Sequence, residues 1–158
     1  MSIERVKAYL EERGLGDRVR EFEVSSATVE LAAKALNTEG ARIAKTLSLH
    51  GKDGGCLIIV CAGDHKIDNK KFKTRFGFKP RMLSPEEALA MTGHAVGGVC
   101  PFDLPDGVAV YLDRSLERFE TVYPAAGSAS SAVALSCREL FAASNAESWE
   151  ELCKPYEA

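Results

Sequence analysis

The 158-residue sequence lacks any apolar run approaching the roughly 20 residues that a helix needs to span a bilayer. It also lacks the basic-then-apolar start of a secretory signal. Its first residues instead carry Glu4, Glu11 and Glu12 within a helical pattern, so a cytosolic protein without membrane attachment is expected. No C-x-x-C pair occurs, and the five cysteines (Cys56, Cys61, Cys100, Cys137 and Cys153) are an odd number. That pattern argues against both a disulfide framework and a zinc ribbon, and small buried hydrophobes are the simpler reading for most of them. Internal repeats, low-complexity segments and linkers are absent too. With 46% hydrophobic and 27% charged residues, residues 1–158 are expected to form one globular domain with a real core.

Net charge is small in total but uneven in placement. The formal net charge is −3, which excludes a generic polyanion binder. Between Lys66 and Arg81, however, seven basic residues (Lys66, Lys70, Lys71, Lys73, Arg75, Lys79 and Arg81) stand against Asp68 alone. Such a patch suits a phosphate backbone touched at one edge, or it is an ordinary solvated helix face.

Ile3, Val6 and Leu10 recur at helical spacing after Ser2, and Gly14 and Gly16 end the pattern. Arg18–Val24 reads as a strand, and Thr28 can cap a helix over Val29–Leu36. Strand-like Arg42–His50 and Cys56–Ala62 flank a glycine-rich turn. Asp68 opens a short basic helix. Ser84-Pro85-Glu86-Glu87 is a capping box with proline at the first helical position, predicting a helix over Pro85–Met91. Gly93–Asp106 reads as a long loop. Val108–Leu112, Phe119–Tyr123 and Val133–Leu135 are further strand candidates, and Cys137–Ala143 and Ser148–Leu152 are expected terminal helices. Strands and helices mix without strict β-α-β alternation, so the expected class is α+β with a largely antiparallel or mixed sheet.

Two features carry chemistry. In Ile43-Ala44-Lys45-Thr46-Leu47-Ser48-Leu49, strand alternation puts Lys45 on the face of Ile43, Leu47 and Leu49, as its one charge. A buried ammonium needs a partner, a lowered pKa or an anionic ligand; a strand end or a bulge would instead let the side chain reach solvent. The second feature is Gly93-His94-Ala95-Val96-Gly97-Gly98-Val99-Cys100-Pro101-Phe102. No Gly-Lys-Ser/Thr follows it and no strand leads into it, so it is neither a Walker loop nor a dinucleotide fingerprint. Its backbone can approach a ligand closely, and exposed amides can hold a carbonyl oxygen or orient a water. A plain crossover loop would carry the same residues. His94 is a candidate base, but nothing places it near a nucleophile, and a hydrogen-bonded structural histidine is the simpler reading. Asp64, His65 and Asp68 look like turn and cap chemistry, so no metal and no cofactor is assigned.

Taken in order, the motifs resemble the YbaK/ProX family, free-standing relatives of the editing domain inserted in prolyl-tRNA synthetases. The resemblance runs from about Val24 to Leu140 and rests on Ile43-Ala44-Lys45-Thr46-Leu47, then Ala62-Gly63-Asp64 with Asp68 and Lys71. Gly93-His94 leading to Gly97-Gly98-Val99-Cys100-Pro101-Phe102 follows, then Asp113-Arg114-Ser115-Leu116, then Tyr123 through Gly127-Ser128. It implies a mixed, partly barrel-like sheet with peripheral helices, the YbaK/prolyl-tRNA synthetase-associated domain fold. The implied activity is hydrolysis of the ester joining a wrong amino acid to the 3′ acceptor end of a tRNA, most plausibly tRNA(Pro) carrying alanine, with cysteine or serine next. Lys45 and Gly97 inherit the catalytic roles. Thr46, Gly98, Cys100, Pro101, Gly127 and Ser128 would bind substrate, and Lys66, Lys70, Lys71, Lys73 and Arg75 would meet the tRNA, with a synthetase as a further partner. An aminoacyl ester is already activated, so a pocket, oriented amides and one cation suffice.

The sequence departs from the family in three places. Cys100 stands where serine is usual, and Asp103 where glycine follows Phe102. Ala125–Ala132 lacks the Lys/Arg-Gly and the acidic residue of cysteine-editing members. These changes leave room for a catalytically silent module that binds tRNA or a synthetase, and Cys100 alone suggests a thiol sensor.

Overall fold

The computed structural model describes residues 2–156. In chain order its elements are α1 (Ser2–Glu11), β1 (Val19–Glu21), α2 (Val29–Leu36), β2 (Ile43–His50), β3 (Cys56–Ala62), β4 (His65–Ile67), α3 (Asn69–Phe76) and α4 (Pro85–Thr92). The second half adds β5 (Ala109–Asp113), β6 (Tyr123–Pro124), β7 (Ser131–Val133), α5 (Cys137–Ala143), β8 (Ser148–Glu150) and β9 (Cys153–Pro155). A five-stranded mixed sheet runs in the order β6-β2-β3-β5-β8, with β2 antiparallel to β3 and the other neighbours parallel. The β1–β7 pair adjoins its β6 edge through the isolated Val122–Leu135 bridge. A separate ribbon, β4–β9, is antiparallel.

The sequence Cys-Leu-Ile-Ile-Val-Cys-Ala has no polar position, and all seven residues of β3 are buried. A strand that is apolar on both faces belongs at the centre of a covered sheet. Ile58, Val60 and Ala62 face a core closed by Ile3, Val6 and Leu10 of α1, Phe102 and Leu140. Leu57, Ile59 and Cys61 face a second core with Leu49, Phe72 and Leu152.

Local signals in the sequence predict the helix starts. Thr28 accepts from the Leu31 amide, the Asp68 carboxylate from the Lys70 and Lys71 amides, and Ser84 with Glu87 closes the expected capping box. Two expectations fail. Ser148–Leu152 is not a helix: Ser148–Glu150 pairs in parallel with Tyr111–Asp113, and Trp149 stacks on Phe141. Five residues are too few to hold a helix unaided, so the open edge of β5 decides their conformation. Phe119–Tyr123 is not a strand either. Arg114–Arg118 forms a 3-10 turn, and only Tyr123–Pro124 reaches the sheet.

The turn after β5 is fixed by Asp113, a buried carboxylate. It accepts from the Ser115 amide at 3.0 Å and from the Leu152 and Cys153 amides at 2.8 and 3.1 Å. Asp113 thereby ties the C-terminal strands to the central sheet. Replacing it by alanine strands buried donors that cost about 1–3 kcal/mol each. Asp113→Ala should lose about 3 kcal/mol in urea denaturation, with Asp113→Asn intermediate; an unchanged midpoint would remove this role.

Candidate active site

A cleft of about 330 Å³ opens between the cleft-side face of β2, helix α2, helix α4 and the glycine loop. Ala44, Thr46 and Ser48, alternate residues of one β2 face, line it, together with Val29, Ala32, Leu83 and Ala88 from the helices and the chain leading into α4. Val96, Gly97 and Val99 close the loop side. Beside Thr46 the edge of β2 is open. Strand β6 pairs only with Ile43 and Ala44, and the chain next meets β2 where the Leu83 amide donates to the Ser48 carbonyl.

Thr46 Oγ1 is buried and has no hydrogen-bond partner. Three other hydroxyls around the cleft are committed: Thr28 caps α2, Ser26 meets the Ala129 carbonyl and Ser131 bonds Ser128. A buried hydroxyl left without a partner is uncommon in a folded protein, and one that lines a cleft is a ready contact for a ligand.

Gly97 has φ = +91°, a conformation that other residues adopt only with strain. The loop is pinned behind it. Buried His94 bonds the Phe102 carbonyl through Nε2 at 2.8 Å and Ser2 Oγ through Nδ1. Burial lowers the His94 pKa, so the imidazole is held neutral as a structural clamp. A Cβ on Gly98 would stand 2.7 Å from the Ser128 backbone. Gly98 and Ser128 are therefore the contact that seats the loop on the chain after β6, and Gly127 packs tightly over α1 at Val6. These three shape the wall behind the cleft and do not line it.

Lys45 borders the cleft, but its side chain leaves the opposite face of β2, as alternation requires. The ammonium donates to the His65 carbonyl at 2.5 Å and to Tyr156 Oη at 3.0 Å, both neutral acceptors. Its charge has no carboxylate partner among the described residues. The His65 carbonyl is steadied by its neighbour Asp64, which pairs with both Arg118 Nη atoms at 2.6 and 3.0 Å and with His65 Nδ1 at 2.8 Å.

Cys100 and Pro101 lie apart from the cleft. Cys100 is fully buried, its thiol turned to His94 and the Phe102 carbonyl, and burial pushes its pKa up to about 12. Pro101 and Asp103 border a different hollow, where Asp103 pairs with Arg5 at 3.4 Å. Of the basic stretch, Arg75 is engaged with Glu150 at 3.1 Å and with the Phe76 and Tyr111 rings, and Lys71 donates to the Cys153 carbonyl. Lys70 and Lys73 stand exposed on α3, and Lys66 is half-buried on the ribbon. Sequence reasoning missed the second partner of Lys45, Tyr156, because it lies 111 positions away, just past the end of β9.

The model of the aminoacyl-tRNA editing domain family matches residues 23–143, and the chain belongs to that family. The uncharacterized Bacillus subtilis protein YwhH is 50% identical over 157 residues, covering 99% of this chain and all of its own. EbsC of Enterococcus faecalis, named for a proposed Cys-tRNA(Pro)/Cys-tRNA(Cys) deacylase activity, is 26% identical over 121 residues, 76% of this chain and 74% of its own. A solved structure of a proposed trans-editing enzyme for prolyl-tRNA synthetase superposes with a TM-score of 0.87 at 31% identity, covering 97% of both chains. Mixed sheet and peripheral helices are thus the family's fold.

Two measurements test this geometry. Arg118 holds the Asp64 pKa at about 2, below the ordinary 3.8. A depressed folded-state value means stability that is complete above the unfolded value and lost as pH falls toward 2. The stability gap between wild type and Asp64→Asn should therefore be constant above about pH 5 and close between about pH 4 and 2; a gap undiminished at pH 2 would contradict the pairing. In the folded protein, Cys100 should resist iodoacetamide at pH 8 and react only on unfolding. Rapid native alkylation at Cys100 would revive the sensor reading.

Proposed function

We propose that the protein is a cytoplasmic trans-editing hydrolase that removes a wrongly attached amino acid from the 3′ end of tRNA, with Ala-tRNA(Pro) as preferred substrate and the cysteine and serine esters next. The observation that carries this reading is the buried, unpartnered Thr46 hydroxyl in the cleft that Gly97 closes. The aminoacyl group enters the cleft, and Thr46 Oγ1 hydrogen-bonds the ester end. The backbone at Gly97 positions the carbonyl or the attacking water, with a ribose hydroxyl of the substrate assisting. Lys45 exchanges its two neutral acceptors for a phosphate of the terminal nucleotides, since an ammonium bonds an anion more strongly than a carbonyl or a phenol. Lys66, Lys70 and Lys73 extend that contact along the acceptor end.

The cleft supports a small apolar amino acid. Val29, Ala32, Ile43, Leu83, Ala88, Val99, Ala125 and Ala132 give it aliphatic walls without an acidic side chain. Each methylene in such a pocket discriminates by only about 10–200-fold, so related esters remain slower substrates. The alternative of a silent binding module depended on Cys100 or Asp103 obstructing the ester. One thiol is in the core and the other side chain pairs with Arg5 over another hollow, which favours the hydrolase.

Deacylation assays on labelled Ala-, Cys-, Ser- and Pro-tRNA(Pro) test the assignments. Lys45→Ala should lower kcat/KM on the best ester by roughly 100-fold, the scale of losing one charge-stabilising contact, without unfolding. Thr46→Val should cost roughly ten-fold, one hydrogen bond. A folded, fully active Lys45→Ala protein would eliminate the role of Lys45.

A further inference from the structure

The β4–β9 ribbon places two like charges side by side. Lys66 and Lys154 are direct cross-strand partners, and like charges directly opposite destabilise an antiparallel pair. Ile67 and Cys153, one position along, pack into the second core, so alternation turns Lys66 and Lys154 outward. Tyr156 follows Lys154 on the same outward face, 54% exposed, its amide fixed to the Asp64 carbonyl at 3.1 Å. Two ammonium groups lie over its ring, Lys45 at 5.0 Å and Lys66 at 5.7 Å from the centroid. An exposed aromatic ring with two lysine ammonium groups against it and Lys154 on the same ribbon has the composition of a single-stranded nucleic-acid platform, where bases stack and cations follow the phosphates. Lys154 and Tyr156 lie beyond residues 23–143, the span matched by the editing-domain family.

We infer that Tyr156 is a stacking platform for an unpaired base at the tRNA 3′ end, with Lys66, Lys154 and Lys45 binding the flanking phosphates. The inference rests on the tRNA reading above and deepens it. Lys45 connects the two places. Its backbone borders the cleft and its ammonium meets Tyr156, so a nucleotide stacked on the ring hands its aminoacyl ester toward Thr46 and Gly97.

The test uses an uncharged, fluorescein-labelled microhelix of the tRNA(Pro) acceptor stem, with and without its unpaired 3′ nucleotides, titrated by anisotropy. Wild type should prefer the tailed RNA. Tyr156→Ala and Tyr156→Leu should both weaken tailed binding by roughly ten-fold or more and leave tailless binding unchanged, while Tyr156→Phe retains the preference. Lys66→Ala with Lys154→Ala should flatten the salt dependence of binding. The platform is refuted if Tyr156→Ala and Tyr156→Leu bind tailed RNA like wild type, if their loss is equal on both RNAs, or if wild type binds neither RNA. An enzyme that turns over mischarged tRNA yet shows any of these results loses the platform alone. Tail-dependent loss in a protein that hydrolyses no ester supports the platform and removes the deacylase reading.

Discussion

The antiparallel pairing of β2 with β3, from Ala44 against Ala62 to His50 against Cys56, is the constraint on which the site depends. Strand β3 is buried on both faces and so cannot slide without exposing apolar side chains or burying none in their place. That fixes the register of β2, and the register decides which way adjacent residues point. Thr46 faces the cleft and Lys45 faces the ribbon. A slip of one residue would exchange them. One strand thus serves two surfaces, an aliphatic cleft with a waiting hydroxyl and a cationic, aromatic ribbon.

The loop opposite depends on a different kind of constraint. His94, neutral because it is buried, links Ser2 at the start of α1 to the Phe102 carbonyl. Gly98 against Ser128 holds the other side. With both flanks clamped, the Gly97 backbone is set before any substrate arrives, which is the condition under which oriented amides lower a barrier. The departures at Cys100 and Asp103 fall on the far side of that clamp.

Most of the fold was legible because its signals are local. Thr28, Asp68 and Ser84 announce helix starts, and the unbroken apolar run of β3 announces a central strand. The ribbon and β8 were not legible, because three-residue strands take their conformation from the edge they join: β8 from β5, and β9 from β4. For the site, the glycine loop and the charge on an apolar strand face were visible at once. Alternation put Lys45 and Thr46 on opposite faces of β2, although the family resemblance placed both at one site, and it did not say where each side chain leads. That required Tyr156 and the cleft walls, residues distant in sequence. The serine-like placement expected of Cys100 follows from the motif spacing, while its burial follows from packing against Phe102 and His94, which no spacing reveals.

Catalysis at the cleft is the central claim, and turnover tests it most directly. With protein at a small fraction of the Ala-tRNA(Pro) concentration, the account predicts that nearly all the ester is released as free alanine, many equivalents per protein molecule and well above spontaneous hydrolysis. Decay at the spontaneous rate for every aminoacyl-tRNA(Pro), or a burst that stops at one equivalent, would contradict it.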